Sequence, residues 1–189
     1  MYLRHMIFTD MTSHMAAMKQ MAKRKPQSIS IATYNIYAGI LHDGEDSHLW
    51  EGDKYRNRAH EFLDTIATMH DVRILVGVPP LIMCKKMCED CISDSYKKAM
   101  RLVKHKEKWP RFKWRYTDSF HFKCYLFHYK KGDVGIGGGR NLSNSNWTDM
   151  SFVLNKKQII AAKTLFDLSW DQAQPVTMEN LEETIKRQL

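Results

Sequence analysis

The chain has 189 residues, enough for one well-filled core and too few for two ordinary domains. Its 43% hydrophobic and 11% aromatic content excludes a disordered polymer, and no run approaches ~18 consecutive apolar residues, which excludes a membrane-spanning helix. The net charge of +8 points to a polyanionic partner, nucleic acid before anionic membrane, with plain solubility as the competing account.

In chain order, Met11, Met15, Met18 and Ala22 recur at helical spacing, with Lys19, Lys23 and Arg24 toward the C-terminal end and Pro26 closing the helix. Residues 1–27 thus read as an amphipathic basic helix whose methionine stripe is packing surface, a dimer contact being the alternative. Its apolar residues are spaced rather than continuous, so no secretory leader is expected and a cytoplasmic protein is. Ile29 to Tyr37 reads as one buried strand, followed by a loop to Asp53. Ala59, Phe62, Leu63 and Ile66 form a helical stripe within Tyr55 to Met69, and Val72 to Val78 is a second buried strand stopped by Pro79 and Pro80. Strand, helix, strand at this spacing predicts a βαβ crossover and a parallel pair.

Cys84, Cys88 and Cys91 crowd into eight residues, with Cys124 apart from them. Such crowding is a poor disulfide framework and fits a reducing compartment. Reduced structural cysteines are the preferred reading. The alternative is a structural zinc or iron–sulfur clip on Cys84, Cys88 and Cys91, with Cys124 or a histidine as fourth ligand.

Ser93 to Trp109 is expected to be a second amphipathic helix, with Tyr96, Ala99, Met100 and Val103 inward and a basic remainder. Short strands follow at Phe112 to Tyr116, Phe122 to Phe127, Val134 to Ile136 and Met150 to Leu154, with a hairpin turn at Gly132-Asp133. Asn155 opens a helix carrying Ile159, Ile160 and Phe166, and Thr177 caps a last one with Met178, Leu181 and Ile185 inward. No internal repeat is evident. The economical reading is one α/β domain over 28–189, its mixed β-sheet flanked by helices on both faces.

The stretch from His121 to Asn146 carries the most specific chemistry. Side chains alternate along a strand, so His121 and Lys123 project together while Phe122 and Cys124 point away. A proton carrier or nucleophile beside a fixed cation, followed by glycines that let backbone approach a ligand, suits an oxyanion such as a phosphate.

This pattern resembles the phospholipase D superfamily, whose signature is His-x-Lys, then an Asp, then Gly-Ser-x-Asn. His121 and Lys123 match, as do Gly138 and Asn141; His128 stands where the Asp is expected, and Gly139 where the Ser is. The order of strand, hairpin and Gly-Arg-Asn-Leu-Ser is most similar to the nuclease-like branch of that superfamily. The resemblance implies a phospholipase D-like domain and a metal-independent phosphodiesterase, with no cofactor required. It also implies a site built from two such segments. One segment per chain then implies a homodimer with the site shared between two subunits.

By that resemblance His121, Lys123 and Asn141 are catalytic, and Asp149 or, more weakly, Asp118 supplies a carboxylate. Gly138, Gly139, Arg140, Ser143, Lys130 and Lys131 are candidate substrate contacts, with Arg140 and the two lysines reaching flanking phosphates. Tyr34, Tyr37 and Trp147 offer rings for base stacking, with core or hairpin packing as the alternative, preferred for Tyr34 and left open for Trp147. The function so implied is an endonuclease acting on DNA, or on RNA, through a covalent phosphohistidine. The alternative is a catalytically impaired nucleic-acid-binding module of the same fold, whose binding face would be the basic helix around Tyr96 to Lys108. A phospholipid phosphodiesterase is a third reading, against which the lack of an apolar surface or membrane anchor speaks.

Overall fold

A computed structural model describes residues 6–34, 36–37, 53–77, 89–117, 121–139, 142–143 and 150–188. The first half contains β1 (Ile7–Phe8), α1 (Met11–Lys23), β2 (Ser28–Thr33), β3 (Ile36–Tyr37), α2 (Asp53–Ile66), β4 (Val72–Gly77) and α3 (Glu89–Lys108). The second contains β5 (Lys113–Thr117), β6 (Lys123–Tyr129), β7 (Gly132–Gly138), β8 (Leu142–Ser143), β9 (Ser151–Val153), α4 (Lys156–Gln172), β10 (Gln174–Pro175) and α5 (Met178–Gln188).

The large sheet has eight strands in the order β1-β9-β7-β6-β2-β4-β5-β10. β2, β4 and β5 are parallel, and the chain passes from β2 to β4 through α2, as the βαβ spacing predicts. β6, β7, β9 and β1 extend the sheet in antiparallel pairs on one side, and β10 closes the other edge. The α/β class and the mixed sheet with helices on both faces are therefore present. The single strand expected over Ile29 to Tyr37 is two: Ile36–Tyr37 leaves the large sheet and pairs in parallel with Leu142–Ser143.

Alternation along β6 sorts the core. Tyr125 and Phe127 join the large cluster with Met15, Met18 and Met21 of α1 and Phe62, Leu63 and Ile66 of α2. Cys124 and Leu126 face the other way, onto Phe166 and Trp170 of α4. The methionine stripe of α1 is thus core rather than a free contact surface. Asp10 caps that helix by accepting from the Ser13 amide, and Asn155 and Gln158 form a reciprocal capping box at the start of α4. Thr177 accepts from the Asn180 amide and caps α5, as its sequence predicts.

The inward face of α3 differs from expectation. Ala99, Leu102 and His105 are buried, while Met100 is 49% exposed. At 100° per residue the row through Ala99, Leu102 and His105 turns Met100 outward, and a methionine beside an alanine does not reveal that rotation. α5 packs on α3, and Tyr116 of β5 binds it through hydrogen bonds to Thr184 and the Asn180 carbonyl.

His105 is 2% exposed, and its Nδ1 donates to the Arg101 carbonyl at 2.6 Å. Burial is the main reason its pKa falls to about 4, with the charge of Lys108 adding and the Arg101 hydrogen bond opposing. The folded-state value lies below the ~6.5 of an unfolded histidine, so the unfolded chain takes up the proton first. Stability from this group is complete above pH ~6.5 and is lost as pH falls toward ~4, by on the order of 3 kcal/mol at full extent. We expect the melting temperature of the wild type to drop more steeply between pH 7 and 4.5 than that of His105→Leu, as followed by circular dichroism.

Candidate functional site

β6 runs antiparallel to β2, with Ala32 opposite Cys124, so the start of β6 lies beside the end of β2. The parallel strand β4 ends on the same side. Open α/β sheets bind ligands at the carboxyl ends of their parallel strands, and His121 and Lys123 stand at that edge.

Lys123 is only 8% exposed although it carries a charge, whereas His121 is exposed. The Lys123 ammonium lies 3.3 Å from His121 Nδ1 and 3.4 Å from Nε2, so it sits equally close to both ring nitrogens. The Tyr34 ring is tilted against His121 with centroids 4.4 Å apart, and the ammonium lies 5.6 Å from the Tyr34 centroid, within cation–π range. An imidazole and an ammonium therefore share one small surface, backed by an aromatic ring. Tyr34, expected in the core, is instead part of this cluster. Only the β2–β6 register could have shown that, because the two segments are far apart in the sequence.

Two further groups hold the edge in shape. Buried Thr33 accepts from the Leu142 amide at 2.8 Å and so ties the chain that resumes after the glycine run to the end of β2. Across the sheet, Lys123, Gly138 and Ser151 lie in one row, and Ser151 hydrogen-bonds buried His14 at 2.8 Å. Nothing in the sequence near His14 announces this role.

The glycines of the run also have a role within the sheet. Gly138 has φ +141, and a Cβ there would lie 2.4 Å from the Met150 carbonyl oxygen and 2.7 Å from the Ser151 Cα. The Gly139 amide already donates to that same Met150 carbonyl at 3.0 Å. Gly138 thus lets the backbone of Met150 and Ser151, at the start of β9, come close to the end of β7.

Lys130 and Lys131 are not at this edge. They form the turn between β6 and β7, closed by the Tyr129–Gly132 pair, with Gly132 at φ +123. The turn is therefore Lys130-Lys131, and Asp133 belongs to β7. Nine residues separate Lys130 from His121, seven of the segment in β6, roughly 30 Å at ~3.3 Å per extended residue.

His128 sits on the opposite face from Lys123, hydrogen-bonded to Ser30 at 3.1 Å and 3.1 Å from the Asp133 carboxylate. It cannot serve His121. Cys124 is buried against α4, where burial pushes its thiol up to about 12. Among the described residues no three His, Cys, Asp or Glu side chains converge in a way that would hold a metal ion. Asn141, Arg140, Asp149, Asp118, Trp147, Cys84 and Cys88 lie outside the described residues, as do the side chains of Ser143, Tyr37 and Cys91. Among the described residues no helix is long and apolar enough to cross a membrane.

No family model matches the sequence, and no curated protein matches it. Among solved structures the fold is similar to TrmBL2, an archaeal chromatin protein whose structure is described as showing a novel mode of DNA binding. The TM-score is 0.50 at 12% identity, and the match covers 92% of this chain and 54% of that one. The chain thus spans about half of TrmBL2, and at this identity the likeness concerns the fold.

The geometry of Gly138 makes a direct prediction. Gly138→Ala forces either a left-handed alanine or a displaced β9, at a cost of about 3 kcal/mol. For a chain of this size that lowers the melting temperature by about 10 °C. Gly132→Ala, with no atom within 4 Å of the added Cβ, is expected to cost less by the same measurement.

Proposed function

We propose that the protein binds nucleic acid, DNA for preference, and that His121 and Lys123 contact its phosphodiester backbone. The observation that carries this is the Lys123 ammonium held against the imidazole of His121 and the ring of Tyr34 at the carboxyl edge of the parallel strands. An ammonium and an imidazole on one surface present several N–H donors to phosphate oxygens. The half-buried Tyr34 ring against the exposed His121 adds a face on which a sugar or base can lie. The net charge of +8 and the DNA binding described for TrmBL2, which shares the fold, support the same reading.

A second reading is favoured by the exposure of His121 beside that cation: a phosphodiesterase of the phospholipase D type. In it, a ring nitrogen of His121 attacks phosphorus, a P–N bond forms, and the bond from phosphorus to the leaving oxygen breaks. His121 of a second copy gives its proton to that oxygen. Water then attacks the phosphohistidine, yields its proton to that same second histidine, and the P–N bond breaks to release the phosphate product. Lys123 and Asn141 of each copy would hold the non-bridging oxygens, where negative charge gathers in the transition state. Because one chain supplies half of these groups, this reading needs a homodimer.

Both readings are tested together with labelled single-stranded DNA, duplex DNA and RNA, assayed for binding and cleavage in EDTA. Lys123→Ala is expected to weaken DNA binding by about tenfold or more, the cost of losing a charge-assisted contact. Wild-type protein that binds none of the three would sink the proposal. Cleavage that persists in EDTA and vanishes in His121→Ala, in a protein that sizes as a dimer, would establish the second reading. Binding without turnover, in a monomer, would exclude that second reading and leave the first.

A further inference from the structure

The lysines that the fold carries away from His121 do not stand alone. Arg24 and Lys25 after α1, Lys130 and Lys131 at the hairpin turn, and Lys156 at the start of α4 line one open groove, with Tyr129 and Ile159 between them. All five cations are exposed, and none makes an ion pair among the described residues. The one carboxylate in the lining, Asp133, already faces His128 at 3.1 Å and Lys163 at 4.0 Å. Three separate chain segments thus bring like charges together around a concavity.

Local structure opposes that arrangement at two of the three places. Lys25 adopts φ +55, a left-handed conformation that favours glycine at this position after a helix. Lys156 and Lys157 open α4, whose first turn holds no acidic residue, although the helix dipole disfavours cations there. Gathering like charges adds self-repulsion. A polyanion laid in the groove reverses all of the electrostatic part.

We infer that this groove is a second, sequence-independent contact for the nucleic-acid backbone, at the opposite end of the β6–β7 hairpin from His121 and Lys123. The inference rests on the reading that the protein binds nucleic acid. Its ligand chemistry is a run of phosphodiesters, since the lining offers point charges and one ring edge and nothing arranged to read a base. The roughly 30 Å between the two ends is close to one turn of duplex DNA, ~34 Å, so one duplex is long enough to reach both.

The test is fluorescence anisotropy with a 24-base-pair duplex across a potassium chloride series. It uses wild type, Lys123→Ala, and the combined Arg24→Gln, Lys130→Gln, Lys131→Gln and Lys156→Gln protein. Lys25 is left in place because its left-handed backbone would mix strain into the result. The four side chains are exposed and mutually repelling, so a melting temperature no lower than that of wild type is the control for folding. The combined variant is expected to lose at least tenfold in affinity near physiological salt. Its slope of log K against log salt should be shallower by about 3.6, from ~0.9 for each of four phosphate contacts removed.

A combined variant with wild-type affinity and slope would overturn the groove while leaving the Lys123 contact, and so nucleic-acid binding, intact. Weakened binding at an unchanged slope would overturn it as well, because no phosphate contact would then have been lost. Wild type that binds no nucleic acid removes the underlying reading and this one with it. Vesicles of phosphatidylglycerol bound by wild type and not by the combined variant, with no DNA or RNA bound, would assign the groove to a membrane instead.

Discussion

The pairing of β2 with β6 in the middle of the large sheet is the constraint on which the rest of the molecule depends. β2 carries the parallel half of the sheet on one side, and β6 the antiparallel half on the other. Each has both faces buried, so a slip of one residue would turn Tyr125 and Phe127 out of one core and Cys124 and Leu126 out of the other. The register is therefore fixed by packing on two sides at once. Its consequence at the edge is that Tyr34, just past the end of β2, meets His121, just before the start of β6. The cluster of Tyr34, His121 and Lys123 is assembled by a pairing whose stability comes from elsewhere.

The same register explains what could be read in the amino-acid sequence and what could not. The α2 stripe of Ala59, Phe62, Leu63 and Ile66 was legible because every member is fully buried and the 3.6-residue period is undisturbed. The projection of His121 with Lys123 was legible because alternation is a local property of any strand. Tyr34 was not, since its neighbour is set by a pairing with a segment some ninety residues away. The packing role of Gly138 was not legible for a related reason. Glycine signals a close approach of backbone without saying to what, and here the approaching backbone is β9. That Lys130 and Lys131 lie far from His121 was not legible from their nearness in sequence, because an extended strand carries residues apart faster than any other regular structure.

The hairpin of β6 and β7 thus acts as a spacer. Its central residues, Tyr125, Phe127 and Ile136 on one face and Cys124 and Leu126 on the other, are held in the two cores. That rigidity separates a mouth bearing His121 and Lys123 from a tip bearing Lys130 and Lys131. On the α4 face, Arg73 spans from Ser30 to Asp167 and stacks over Phe166, while His128 joins Ser30 to Asp133. This polar network ties β2, β4, β6 and β7 to the helix that also presents Lys156 to the groove. The position of the groove relative to the mouth is therefore set by packed, hydrogen-bonded elements and not by loops.

The cations at the two ends differ in physical kind. A lysine side chain loses roughly 1.5–2 kcal/mol of rotamer entropy when it is fixed. Lys123, buried to 8% and laid against Tyr34 and His121, has already lost most of that freedom in the folded protein. An anion arriving there meets a donor in place, and the contact is directional. Arg24, Lys130, Lys131 and Lys156 are exposed and keep their freedom until an anion arrives. Each of those contacts gains mainly from counterion release, which is insensitive to the position of a single oxygen and sensitive to salt. An ordered cation suits the placing of one phosphate against an imidazole, and mobile cations suit the holding of a backbone in any register. The fold puts the first kind beside a histidine and the second kind at the far end of the β6–β7 hairpin.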